Sequence, residues 1–387
     1  MRARTSSILA NRSLGLSLVE VLVGVAIGLI GVVAIFQAIA VWSRHTSTTT
    51  AGGDAQVAGT LALFNIERDV KQAGHGFGRA ISQVMGCDVA ATDTTPARAF
   101  NFGLRPVEIA ASAGGAPDSI SILYGNSSFY VEEGDFTDAT ASTKKMRRRG
   151  GFKIGDVAVV AVNPGASAAT AACQLVQLTD DTDPDGYTVA HSTVPFVSFY
   201  AASSPAAASR FNSAVAPGAL SGTMYNLGPD PRLDVWSIQN NHVLVRGDSI
   251  HATAPIPIGE GVINLKAEYG VDGDGDGVIS PAEWQTAAPA DWRRVLAIRV
   301  AVLVRSRQFE KHGDAGAASG VLAVTPTVKN PYYFGDAVNR KFLMTNVDGS
   351  ADTLSDTDVD PNNWRFYRYR VYERVIPLRN MLWGNWG

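Results

Sequence analysis

Twelve consecutive residues, Asp272-Gly273-Asp274-Gly275-Asp276-Gly277-Val278-Ile279-Ser280-Pro281-Ala282-Glu283, set carboxylates at loop positions 1, 3, 5 and 12 around a glycine at position 6. Hard Ca²⁺ takes roughly six to eight oxygens, and this spacing wraps them around one point. Asp272, Asp274 and Asp276 would supply carboxylate oxygens, Val278 its backbone carbonyl, Ser280 a direct or water-mediated contact and Glu283 two oxygens. Gly277 permits the sharp turn, while Ile279 is expected to point back to the core. The expected cofactor is therefore Ca²⁺ in a structural role.

The flanks decide what carries the loop. Before it, Ile263, Leu265, Ala267 and Tyr269 alternate as a strand does, so this is an EF-hand-like loop on a β scaffold, leading into a short helix over 281–285. Outside the cytoplasm such sites bind weakly, with Kd on the order of 10⁻⁴ to 10⁻³ M. Two other acidic stretches, TDDTDPDG at 179–186 and SDTDVDPNN at 355–363, lack the spacing and read as solvated loops.

Catalytic patterns are missing. The six histidines, His45, His75, His191, His242, His251 and His312, show no HExxH pairing and are expected at the surface or in loops. No G-x-S-x-G elbow or Walker loop occurs, so a non-enzymatic protein is expected. A net charge of -3 offers no general attraction for nucleic acid, which is not expected as a partner. The local basic run Lys144-Lys145-Met146-Arg147-Arg148-Arg149 carries no interleaved aromatics and reads as an exposed loop.

These groups need elements to hold them. From Leu18 to Trp42 the clearly polar side chains are Glu20 and Gln37, so a helix here is apolar enough to cross a bilayer. Arg2, Arg4 and Arg12 precede it without an acid, which keeps the start cytoplasmic and sends the C-terminal bulk outward. No small-residue cleavage site follows the run, so the anchor is retained. Glu20 is the anomaly, because a carboxylate in hydrocarbon is costly and marks function.

Gly52-Gly53 interrupts the helical pattern and reads as a joint or a plain loop. Beyond it Val57, Leu61 and Phe64, and likewise Leu63, Ile66 and Val70, recur at helical spacing up to Gly74 and Gly76. Short β-like runs follow, including SISILYG, GDVAVVAV, CQLVQLT, GVINLKAEYG and RVLAIRVAVLVRS. The expected fold class is α+β, with a long N-terminal helix packed on a mainly antiparallel sheet domain. The Ala/Ser/Pro-rich stretch 201–222 is a long loop or a linker between two β subdomains. Cys87 and Cys173 suit a single bridge if the domain is exported, worth roughly 4 to 5 kcal/mol in the chain-entropy model. Two buried thiols are the alternative.

The segment Gly15-Leu16-Ser17-Leu18-Val19-Glu20 resembles the class III leader of type IV prepilins and pseudopilins. The resemblance implies cleavage by a prepilin peptidase between Gly15 and Leu16, N-methylation of Leu16, and Glu20 as the fifth mature residue. The new ammonium at Leu16 then gives Glu20 a partner in low dielectric, on a neighbouring subunit. Leu16 departs from the phenylalanine most common there. The tail 371–380, Ala73-Gly74, Gly155-Asp156 and the strand 294–306 resemble PilW-type minor pilins.

The expected organisation is a leader at 1–15, a transmembrane and filament-core helix at 16–42, its amphipathic continuation at 43–75 and a periplasmic β domain at 76–387. The expected function is initiation or priming of type IV pilus assembly, from the inner membrane to the pilus tip. Its partners would be other minor pilins, the major pilin, the peptidase and the inner-membrane assembly machinery. A type II secretion pseudopilin is the alternative, followed by an anchored periplasmic adhesin or enzyme.

Overall fold

The structure is a computed structural model that describes residues 17–127, 133–148, 151–162, 172–180, 187–201, 203–212, 221–239, 242–309, 331–335, 340–354, 358 and 360–384. Two compact units divide at Gly53 and Asp54. Helix α1 is assigned over Leu18–Val70, and Gly52 and Gly53 both lie within it. The glycine pair is thus neither a loop nor an interruption of the helical hydrogen bonding. In the first unit, Leu18–Ala40 is 23 residues of mean hydropathy 2.7 with its side chains exposed. At 1.5 Å per residue that reaches about 34 Å, enough for a hydrocarbon core of about 30 Å.

The second unit is a β domain with the end of α1 packed into it. Its strands in chain order are β1 Asp88–Thr94, β2 Ala97–Gly103, β3 Val107–Ala110, β4 Ser119–Tyr124, β5 Gly134–Ala139 and β6 Thr143–Met146. Next come β7 Val157–Val162, β8 Ala172–Gln177, β9 Thr188–Ala190, β10 Gly222–Gly228, β11 Arg232–Gln239 and β12 Val243–Asp248. The last are β13 Ile256–Glu260, β14 Val262–Val271, β15 Trp284–Gln285, β16 Val295–Arg305 and β17 Tyr369–Pro377, followed by a short helix α2, Arg379–Gly384. Among the described residues they form sheets ordered β2-β1-β8-β7-β10-β5-β6-β9, β13-β12-β11-β4-β3 and β15-β14-β16-β17. Pairing is antiparallel except between β1 and β8. The α+β expectation holds.

Two strands explain why some runs are apolar throughout. Val157, Val159 and Ala161 of β7 join the main core, while Ala158 and Val160 join a second cluster with Phe136, Met146 and Leu178. In β16 Val300, Val302 and Val304 face the main core, and Ala301 and Leu303 face a third cluster with Phe342 and Trp364. A strand covered on both faces loses the apolar-polar alternation. In β14 the expected alternation breaks once: a bulge lies between Val262 and Asn264, and Ile263 joins the third cluster while Leu265, Ala267 and Tyr269 stay in the main one. One extra residue reverses the facing of everything before it.

Of the two apolar rows on α1, Leu63, Ile66 and Val70 are buried and Val57, Leu61 and Phe64 are exposed. Burying each side chain of the first row stabilises by roughly 1.5 to 3 kcal/mol. Close approach to β17 needs Gly59, since an added Cβ would overlap the Tyr372 ring. Asp69, only 1% exposed, accepts from Trp236 Nε1 at 3.2 Å and from Arg246 Nη1 at 3.4 Å, so one carboxylate ties α1 to β11 and β12. Just past the helix, Asn380 Nδ2 donates to the carbonyls of Gln72 at 3.0 Å and Ala73 at 2.9 Å. The Ala73-Gly74 pair and the tail, 307 residues apart, are one structural unit.

Cys87 and Cys173 are bridged, with Cα atoms 6.2 Å apart across 86 residues of sequence, beside the β1–β8 pair. Of the stretch 201–222, residues 201, 203–212 and 221–222 are described. Both its flanks lie in one compact unit, where Phe211 is buried in the core and Asn212 Nδ2 donates to Gln177 O at 2.7 Å; residues 213–220 lie outside those described.

Replacing Asp69 by Ala should lower the denaturation free energy by roughly 3 kcal/mol, since the Arg246 cation and the Trp236 N–H are left without their acceptor. Val57→Ala, at an exposed position of the same helix, should cost under about 0.5 kcal/mol. Denaturant titration of the full-length protein in detergent measures both, and equal losses would sink the Asp69 assignment.

Candidate calcium loop and its surroundings

The loop begins where β14 ends and is held at both ends. Asp272 N donates to Arg294 O at 2.8 Å, and Arg294 Nη1 donates back to Asp272 O at 3.0 Å and Gly273 O at 2.8 Å. Arg294 therefore pins the start of the loop to the start of β16. Within the loop Asp272 accepts from Gly275 N at 2.7 Å and Gly277 N at 3.0 Å, while Asp274 and Asp276 accept from Asp276 N and Val278 N. Gly277 takes φ +79° and Gly275 +82°, the left-handed region that a side chain would strain.

This folding gathers one oxygen from each of Asp272, Asp274 and Asp276 within 4.8 Å of one another. Asp272 is buried and the other two are exposed. Among the described residues it is the group of His, Cys, Asp and Glu side chains close enough to share a cation. Glu283 closes the loop instead of joining the trio: its oxygens accept from Gly273 N at 2.7 Å and Ser280 N at 2.8 Å. Hydrogen bonds from the backbone of Ser280 and of Gly273 hold its carboxyl below the usual range. A carboxylate offers about four lone-pair sites, so both oxygens keep capacity for a further ligand. The donor set suits a hard cation.

The Val278 side chain is exposed, and Ile279 Cγ2 lies 3.1 Å from where a Gly270 Cβ would be, against β14. In place of a helix over 281–285 there is a single 3-10 turn at Pro281–Glu283, after which Trp284 and Gln285 pair with Gly270 and Tyr269 as β15. Proline sets the turn, and the free edge of β14 captures the chain before a second turn forms. Arg294 and Trp284 are not legible as loop residues in the sequence, because neither sits at a ligand position.

Of the assembly residues, Glu20 lies exposed in the first turn of α1, and Gly15 and Leu16 lie outside the described residues. The basic run is not an exposed loop. Over 143–146 it is strand β6, in which Lys144 and Met146 are buried and Lys145 is exposed; Arg147 and Arg148, past the strand's end, are exposed, and Arg149 lies outside the described residues. Lys144 Nζ donates to Thr140 O at 2.8 Å and Thr143 O at 3.3 Å and meets His191 Nε2 at 3.0 Å. The strand's alternation, not the run's charge, decides which side chains enter the core.

His75, His191, His242 and His251 lie in loops or turns, as expected, but not all at the surface. His191 and His242 are buried, His75 and His251 partly so; His312 and the His45 side chain lie outside the described residues. Asp156, fully buried after Gly155, accepts from Lys153 N at 2.8 Å, Asn226 Nδ2 at 2.7 Å and Tyr200 O–H at 2.7 Å. The Gly155-Asp156 pair thereby holds the entry to β7. Of the acidic stretch at 179–186, residues 181–186 lie outside the described residues; in that at 355–363, Asp358 and Asp360 are exposed while Asn363 is buried and its side chain accepts from Arg365 N at 3.0 Å.

Residues 237–380 match the family model described as Type IV Pilus-assembly protein W. That span runs from β11 through the acidic loop and β16 to Asn380, so it contains the strand and the tail that carry much of the PilW resemblance. No curated protein and no solved structure matches the chain.

Burial pushes His191 down to about 4, with the Lys144 cation beside it, and pushes His242 down to about 4, with Arg305 adding to the effect. Both stay neutral when folded but take up a proton near pH 6.5 once unfolded. Stability is therefore complete above about 6.5 and lost as pH falls toward 4, by up to about 3 kcal/mol per histidine. Melts from pH 7.5 to 4 should show this slope, shallower in His191→Gln; parallel slopes would overturn the assignment.

Proposed function

We propose that this protein is a minor pilin that takes part in starting type IV pilus assembly, without catalytic activity. The match of residues 237–380 to a pilus-assembly family carries the reading. It is supported by the apolar stretch Leu18–Ala40 with Glu20 near its start, behind a basic leader that ends in Gly15. The leader is cut after Gly15, Leu16 becomes the methylated N-terminus, and its ammonium pairs across subunits with Glu20. Before assembly the protein sits in the inner membrane with the β domain in the periplasm, where the Cys87–Cys173 bridge persists. From there it passes to the pilus, at or near the tip.

Deleting the gene should abolish or sharply reduce surface pili, and the full-length chain should restore them. Glu20→Ala should not restore them, although intact mass still shows loss of residues 1–15 and one added methyl group. An uncut N-terminus, or normal piliation by Glu20→Ala, would count against the mechanism.

The acidic loop, in this reading, holds one Ca²⁺ through Asp272, Asp274 and Asp276, with Val278 O, Ser280 and Glu283 completing the shell. Binding stabilises by RT ln(1 + [L]/Kd), so a Kd on the order of 10⁻⁴ M gives about 1.4 kcal/mol at roughly 1 mM calcium. Calcium should raise the melting temperature of the wild-type protein and leave Asp274→Ala unmoved. A wild type without response removes the ion from the reading.

A further inference from the structure

The chain that leaves the acidic loop forms one wall of a cleft of about 670 Å³, a volume in the ordinary range for ligand sites. Lys266 and Glu268 of β14 form its floor, Trp284 and Tyr333 stand in its walls, and Arg340 and Lys341 close one side. Among the described residues that line it, three cations face one carboxylate, a net charge of +2 in a protein of net charge -3. Counting the partners behind the floor does not change the sum. Lys266 is paired with Asp118 at 2.5 Å, and Glu268 with Arg299 and Arg340.

The floor is built, not incidental. Lys266 and Glu268 are each about 3% exposed, and Asp118 also accepts from Ala267 N at 3.0 Å and Ser112 N at 2.8 Å. The Trp284 ring is held by the Arg299 guanidinium 4.8 Å from its centre, and the same guanidinium lies 4.4 Å from the centre of Phe334. Lys266 Nζ lies 5.7 Å from the centre of the Tyr333 ring. Positive potential between fixed aromatic walls favours a segment carrying carboxylates together with aromatic or apolar side chains.

We infer that this cleft docks an acidic segment of a partner protein, and that calcium in the adjoining loop strengthens the docking. The second half rests on the calcium reading above. Trp284 follows Glu283 directly, so the loop's four carboxylates stand beside the wall that an acidic segment must approach. Without an ion they repel it, whereas bound Ca²⁺ cancels two of their four charges and fixes the turn that positions Trp284. Linkage makes the effect reciprocal: the docked segment raises calcium affinity by the same factor.

The test uses full-length protein in detergent and a fluorescein-labelled peptide of alternating glutamate and tyrosine, read by anisotropy at low salt. Binding is expected, at least about fivefold weaker in Lys341→Glu, with a smaller loss in Lys341→Gln and no competition from a single-stranded oligonucleotide of equal charge. No binding, affinity unchanged by either Lys341 substitution, or equal competition by the oligonucleotide overturns the docking site. Calcium uptake is measured first, by calorimetry without peptide. Uptake that leaves peptide affinity unchanged overturns the coupling. Absence of uptake overturns the calcium reading instead, and peptide binding that still responds to Lys341 then supports the cleft alone.

Discussion

The Asp69 carboxylate is the constraint around which the β domain is arranged. It lies on the face of α1 that also buries Leu63, Ile66 and Val70, so packing that face puts a charge inside the protein. An unpaired buried charge would cost several kcal/mol, offsetting much of what the row of apolar side chains contributes. The Trp236 N–H and the Arg246 guanidinium meet it, which fixes the β11–β12 hairpin against the helix. Arg246 also lies 3.8 Å from Asp234, which accepts from the Tyr124 O–H at 2.7 Å, so the neighbouring strand β4 is drawn into the same network. Burial raises the Asp234 carboxyl above its usual range, consistent with a site where charge is tolerated only through its partners.

From there the order of the sheets follows. The end of α1 cannot be left open inside protein, and Asn380 supplies donors for the carbonyls beyond its last turn. That contact brings the tail, and with it β17, onto β16, while Arg374 of β17 pairs with Glu67 on the helix. β14 and β16 are then covered on both faces, and the acidic loop joins them at a rigid base. Arg294 adds a cation to the loop's rim, bonded to backbone carbonyls and not to the four carboxylates. The carboxylates accept the backbone N–H groups that shape the turn.

Local patterns were legible because covalent geometry sets them. The apolar run of α1, the principal strands and the twelve-residue loop each depend on spacing within about ten to twenty residues. The boundaries of alternation were less legible. Nothing in Val262 to Asn264 announces the bulge that transfers Ile263 to another core. Six residues from Lys144 to Arg149 read as a charged loop, yet the pairing of Lys144 and Lys145 with β5 and β9 makes the start of the run a strand and sends Lys144 inward to His191.

The sequence by itself determined the apolar N-terminal run, the helix periods, the strand-rich body and the spacing of the loop's carboxylates. The tertiary structure alone decided which polar groups meet. Asp69 and Trp236 are 167 residues apart, and Asn380 and Ala73 are 307 apart. Chain spacing carries no information about such pairs, because a buried polar group takes its partner from whatever element the packing of apolar faces brings within hydrogen-bond reach.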